Sequence, residues 1–272
     1  MRRPGKASGL VVLVCAAATG CLFRGSEARS TGWFHGLTGG DSGLAIRTVL
    51  IDRPAGDPYL TRGLWASAGK PVPHEQATLL AQNGLRVGVL TGLIPGEFEQ
   101  LITSEQATVS PMHRTLQPNK PKVVPVNGPL DRCSYRVLHD LAADPARVEL
   151  TGAECGLSVT ARPAEGGQVT LLCEPQVQHG EKQAWLKPTT DGTGFARRDA
   201  KPLETYPTLS FEVTLGPQDY LLVGPTEDPA DTLGQALFYS LSEDRARQRV
   251  LVIRALRGPD AAPVGKPDPT PR

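Results

Sequence analysis

Aromatic side chains and long apolar runs are both scarce in this chain of 272 residues, with Phe, Trp and Tyr making only 5% of it. Together these shortages exclude a protein that crosses a bilayer many times, because each spanning helix needs about 20 consecutive apolar residues. An excess of one charge is also lacking, with 29 basic against 28 acidic side chains. Phosphate binding needs a concentrated basic face, so nucleic acid is not expected as a partner. Cysteine is sparse at 5 residues. None stands in a Cys-x-x-Cys pair or at zinc spacing from a histidine, which argues against a metal site. Also missing are a Gly-x-Ser-x-Gly elbow, a His-Glu-x-x-His helix motif and a P-loop. No catalytic, cofactor-binding or metal-binding residue is therefore assigned, and no cofactor is expected.

Glycine and proline are plentiful, at 29 and 25 residues, so much of the length is loop and the core is smaller than the length suggests. The N-terminus is basic, with Arg2, Arg3 and Lys6, and an apolar run from Leu10 to Ala18 follows. A basic start, a short apolar stretch and small residues at its end make a secretory signal. The run is too short for a permanent span. Small residues then meet a cysteine, Ala18-Thr19-Gly20-Cys21. This resembles the lipobox of bacterial lipoproteins, with Ala18 where that family prefers Leu. The resemblance implies a signal peptide over 1–20 and lipid on Cys21. Leu22 replaces the Asp that retains such proteins in the inner membrane, so the implied address is the outer membrane, facing the periplasm. One acyl chain holds a protein only marginally, and bacterial lipoproteins carry a diacylglycerol, often with a third chain. The implied partners are the membrane, through this lipid, and other envelope proteins. An ordinary signal peptide with an incidental Cys21 is the alternative. Removing Arg2, Arg3 and Lys6 leaves 26 basic against 28 acidic residues in the exported body.

Residues 21–43 read as a polar, glycine-rich tether. A mixed α/β block is expected over 44–105, in the order β-α-α-β-α. Its parts are a strand at 45–52, a helical face at 59–65, a helix over 73–84, a strand at 85–90 and a short helix at 95–102. Asn83-Gly84 supplies a left-handed helix stop. Pro111, Pro118, Pro121, Pro125 and Pro129 make 106–129 a linker or an edge crossing. A mostly antiparallel β-domain is expected over 130–257, giving an α+β fold overall. Within it, 133–143 reads as a strand and short helix, and strands follow at 147–150, 155–161, 168–173, 208–215, 219–224 and 249–255. A turn at 163–167 joins two of these as a hairpin, and Gly216-Pro217-Gln218 joins a second pair. Residues 230–240 read as a short helix or an irregular excursion, and 258–272 as a disordered tail.

Cys133, Cys155 and Cys173 would remain after export, which suggests one disulfide and one free thiol in an oxidising compartment. Cys155 and Cys173 fall on one face of the expected hairpin and are the candidate pair. If the hairpin closes about Glu165 they sit diagonally, so a bridge needs a shifted register or a bulge. Buried free thiols are the alternative.

The order of features from about 155 to 224 resembles the membrane-ring domain of bacterial secretins. Gly156 to Pro163 matches a G-x-x-x-x-V-x-P hairpin pattern, and Gly167 to Leu171 its V-x-L return strand. Phe211 to Gly224 matches the later strand pair. The insertion at 178–205 is short and polar, so the resemblance implies a similar β-scaffold and not a pore. The function expected is a non-catalytic, lipid-anchored envelope protein that binds or scaffolds others. Two alternatives stand beside it. One is an envelope hydrolase whose residues meet only in three dimensions, with His139, Asp140 and Cys133 its nearest candidates. The other is an oligomerising secretin-like subunit. The basic run Arg245 to Arg249 reads as a solvated face or edge guard, with a docking patch for an acidic partner as the alternative.

Overall fold

The computed structural model describes residues 44–188, 193–242 and 245–257. The signal peptide, Cys21, the tether to residue 43 and the tail from 258 lie outside the described residues. Strand β1 (Leu44–Pro54) leads through a π-helical turn, Tyr59–Gly63, into α1 (Leu64–Ala66). Next come α2 (His74–Gln82), β2 (Leu85–Leu90), α3 (Gly96–Thr103), β3 (Thr108–Leu116) and β4 (Lys122–Val137). Then follow β5 (Ala146–Pro163), β6 (Val169–Gln178), β7 (Gln183–Pro188), β8 (Phe195–Ala200) and β9 (Leu203–Thr205). The chain closes with β10 (Phe211–Leu215), β11 (Tyr220–Pro225), α4 (Leu233–Phe238), β12 (Tyr239–Ser242) and β13 (Arg245–Arg257). The fold is α+β and β-rich, and its named ladders are antiparallel.

A central sheet has the order β2-β11-β13-β1-β3, with β12 also on β13. An outer sheet has the order β10-β6-β5-β4, with β9 on β6, and β7-β8 form a separate hairpin. Alternation along each strand decides what the central sheet touches. Ile46, Leu221, Leu251 and Ile253 face the outer sheet and join one core with Leu157, Leu171, Tyr135 and Val213. Their neighbours Val49, Ile51, Leu222, Val250 and Val252 face the other way, onto Leu60, Leu64 and Phe98. The central sheet is thus buried on both faces, by the helical segments α1 and α3 on one side and the outer sheet on the other. The outer sheet buries one face only: along β10 the residues alternate buried and exposed.

Local chemistry explains the helical segments. The Asp57 carboxylate accepts the backbone N–H of Tyr59 and Leu60 at 3.0 and 3.1 Å, which starts the helical turn. Pro73 and Pro95 sit at the N-caps of α2 and α3, where a missing N–H costs nothing. Glu97 and Glu99 occupy the first turn of α3, the end favoured by the helix dipole. Gly84 ends α2 with φ +74°, and a Cβ there would lie 2.0 Å from the Thr232 hydroxyl. The position therefore demands glycine both for backbone and for space.

The segment 106–129 is not a free linker. It forms β3 and the first half of β4, both of them edge strands of their sheets. Pro111 falls where the β1–β3 register shifts, between Thr48 and Leu50. Pro125 and Pro129 flank the register shifts of the β4–β5 ladder. Edges and bulges are where a strand tolerates the missing N–H. The boundaries expected at 105 and 130 do not separate two sheets, since β1 pairs with β13 and β2 with β11. The turn at Gly216 to Gln218 joins no hairpin either: β10 pairs with β6 and β11 with β13, so the chain changes sheet there. After β4 the chain continues through bends and turns without the short helix expected near 140.

Candidate functional site

A broad concavity lies beside the outer edge of β4. Among the described residues, sheet order leaves β4 with β5 on one side and no strand on the other. Opposite this edge run α4 and the start of β12, and between them is a cleft of about 770 Å³. Gly128, Leu130, Asp131, Arg132 and Ser134 line one wall, and Gln235, Ala236, Tyr239 and Ser240 the other.

Both ends of the cleft are closed. At one end, the Asn127 amide donates to the carbonyls of Ala236 and Tyr239 at 2.8 and 2.6 Å. Its oxygen accepts from Gly128 N–H at 3.0 Å and from Arg249 at 2.8 Å. Arg249 in turn is held 2.9 Å from Asp52, which also takes Arg247 at 2.7 Å. Asp52 is only 6% exposed, and two guanidinium partners are what such burial of a carboxylate requires. At the other end, Arg136 N–H donates to the Asp231 carbonyl at 2.9 Å, and the two side chains pair at 2.9 Å. Asn83 ties the end of α2 to this corner, donating to the Leu138 carbonyl and accepting Leu138 N–H at 2.8 Å.

Behind the β4 wall is a buried polar cluster. The Tyr135 and Tyr206 hydroxyls hydrogen-bond each other, with rings edge to face at 6.3 Å. Burial pushes Tyr206 up to about 12, and burial together with the Tyr206 contact raises Tyr135. The neighbouring thiols influence each other: proximity to Cys155 lowers Cys133, and proximity to Cys133 together with burial raises Cys155. Burial alone pushes the Cys173 thiol up to about 12. Burial thus favours the neutral forms of Tyr135, Tyr206, Cys155 and Cys173.

The sequence-derived candidates separate. All three described cysteines are free. The hairpin pairs Cys155 with Val177 and Cys173 with Val159, four positions apart along each strand, so the Cys155–Cys173 pairing is not formed and Cys155 meets Cys133 instead. The hairpin centres one residue beyond Glu165, on Gly166, which moves the two thiols further apart. His139 is exposed, 3.4 Å from the Thr208 hydroxyl and stacked on Tyr206. It shares a depression of about 470 Å³ with Glu75 and Asp140, whereas Cys133 lines the cleft beside β4. His179 lies 3.5 Å from Glu204. The basic run Arg245 to Arg249 is not simply a solvated face, since Arg247 and Arg249 clamp Asp52. Sequence reasoning missed Asn127 and Arg249 as the closure of the cleft. The available signal was Asn127-Gly128-Pro129, a polar residue and two breakers inside a strand.

No protein-family model matches this chain, and no curated protein matches it. Among solved structures it has a weak resemblance to the secretin domain of InvG. The β-barrel of that domain, from the Salmonella SPI-1 injectisome, aligns at a TM-score of 0.24 with 13% identity, covering 82% of this chain and 64% of that one. The InvG secretin of the Salmonella SPI-1 type III secretion injectisome aligns at 0.22 with 13% identity, covering 82% of this chain and 66% of that one. This chain therefore spans less than two thirds of those chains, and an alignment so loose carries no argument about function.

Proposed function

We propose that this chain is a non-catalytic, lipid-anchored protein of the bacterial envelope that binds or scaffolds other proteins. The observation that carries the binding role is the cleft beside β4, where a strand edge stands open between two rigid closures. Natural proteins cover or blunt such edges unless they use them. The lipid anchor rests on Ala18-Thr19-Gly20-Cys21 and the signal before it. The non-catalytic reading rests on the dispersal of His139 and Cys133 into different concavities. The test is extraction of the full-length protein from membranes, with intact-mass measurement and chemical cross-linking of its neighbours. The expected result is an acyl adduct on Cys21 and a cross-linked envelope protein. A water-soluble product with an unmodified Cys21 would remove the anchor. Sizing of the detergent-extracted protein addresses self-assembly, and a concentration-independent ring would replace the binding role with an oligomeric one.

A further inference from the structure

We propose that the cleft beside β4 receives an extended peptide segment of another protein, which adds as a strand to the open edge at Leu130, Arg132 and Ser134. This rests on the binding role proposed above and names the kind of partner. In an antiparallel ladder, successive residues alternate between pairs that exchange hydrogen bonds and pairs whose N–H and C=O point outward. Arg136 donates its N–H outward, to Asp231. Its ladder partner is Arg147, and the same register pairs Ser134 with Glu149, Arg132 with Thr151 and Leu130 with Ala153. The outward pairs are therefore those at 130, 132, 134 and 136. The far side agrees, because the Thr151 carbonyl points away from β4 and accepts Gly180 N–H at 2.7 Å. Only Arg136 has an outward backbone partner among the described residues. Leu130, Arg132 and Ser134 direct theirs into the cleft.

The cleft selects a single segment. Asn127 and Arg136 close its ends. The regular stretch between them, Leu130 to Ser134, spans roughly 13 Å and matches about five residues of added strand. A second copy of this chain would bring a strand with sheet neighbours of its own, and α4 occupies the space those would need. A small molecule would leave the regular spacing of backbone donors and acceptors unmatched. Strand addition supplies both, with backbone bonds giving affinity and alternate side chains giving specificity. Charge narrows the choice further. Arg132 is exposed and has no ion pair among the described residues, so an acidic side chain beside it is favoured. The inward residues of the segment meet Asp131, Cys133 and Ala236.

The test begins with random dodecapeptides displayed on phage and selected on the folded full-length protein. Enriched sequences are synthesised and their affinities measured, and backbone amide exchange is followed with and without peptide. Acid-bearing peptides should enrich, and the Arg132 and Ser134 amides should exchange fast in the free protein and slow when peptide binds. Ser134→Pro removes an outward N–H while leaving the β5 ladder intact, and should weaken binding about tenfold or more. Ser134→Val keeps that N–H and should bind within about threefold of the original. Should the proline variant misfold, the exchange measurement on the unaltered protein still decides. No enriched peptide, unchanged binding by folded Ser134→Pro, or amides already protected in the free protein would each overturn the proposal. The last would mean that a segment of this chain or a second copy fills the cleft. If a partner cross-linked in membranes binds Ser134→Pro as well as the unaltered protein, the binding role stands and the cleft assignment fails. If no partner is found in membranes, the binding role itself fails.

Discussion

The central and outer sheets use the same residue types in different order, and the difference follows what covers them. The strand β13 carries Val250-Leu251-Val252-Ile253 in succession, all buried, because helical segments lie on one side and a second sheet on the other. The strand β10 reads Phe211-Glu212-Val213-Thr214-Leu215 and buries only its odd positions. Its outer face carries exposed contacts such as Thr170 to Thr214 at 2.9 Å and an Arg162–Glu212 pair. Continuous apolar runs thus mark two covered faces and alternation marks one.

The sharpest way to break this contrast is at the ion cluster near one end of the β1–β13 ladder. Asp52→Ala leaves Arg247 and Arg249 without their shared carboxylate, and should cost roughly 3–5 kcal/mol in denaturant unfolding. Leu222→Ala tests the helix-covered face and should cost roughly 2–5 kcal/mol. A loss as small as that at an exposed position of the outer sheet would mean that α1 and α3 do not cover it. Within the core, Tyr206→Phe strands the Tyr135 hydroxyl and should cost roughly 1–3 kcal/mol. Tyr135→Phe with Tyr206→Phe should cost less than the two single changes summed, because the double variant strands no hydroxyl. The pH dependence has a definite sign. Burial raises Cys173 from 9.0 to about 12, so its contribution is intact below pH 9 and is lost as pH rises towards 12. Denaturation midpoints should fall across that window, and Cys173→Ala should flatten the fall. The smallest effect belongs to the outer face, where Arg162→Ala should change stability by less than about 1 kcal/mol.

Much of the element inventory was legible in the sequence, and much of the strand pairing was not. The helix at 74–82 announced itself through Pro73, its apolar spacing and Asn83-Gly84. The 5-residue turn region around Glu165 was readable, though its centre fell on Gly166. Partner choice is a long-range property, and nothing local to Leu44–Pro54 says that its mate lies near residue 250. The prolines of 106–129 point to a linker or an edge crossing, and the structure forms edge strands, which accommodate them because one side of each residue needs no ladder bond. The insertion at 178–205 is short and polar in sequence, yet its hairpin exposes Leu186 and Phe195. They occupy one face of the ribbon. The cleft was hidden for a similar reason: it forms where β4 approaches α4, two elements about 100 residues apart.

The pairing of Leu44 with Arg257, at the head of an eleven-pair ladder, has a mechanical meaning. A pull on Leu44 along the axis of β1 would cross the antiparallel hydrogen bonds, which lie at right angles to it. The ladder would then be loaded in shear, its bonds sharing the strain together, instead of being peeled open one after another.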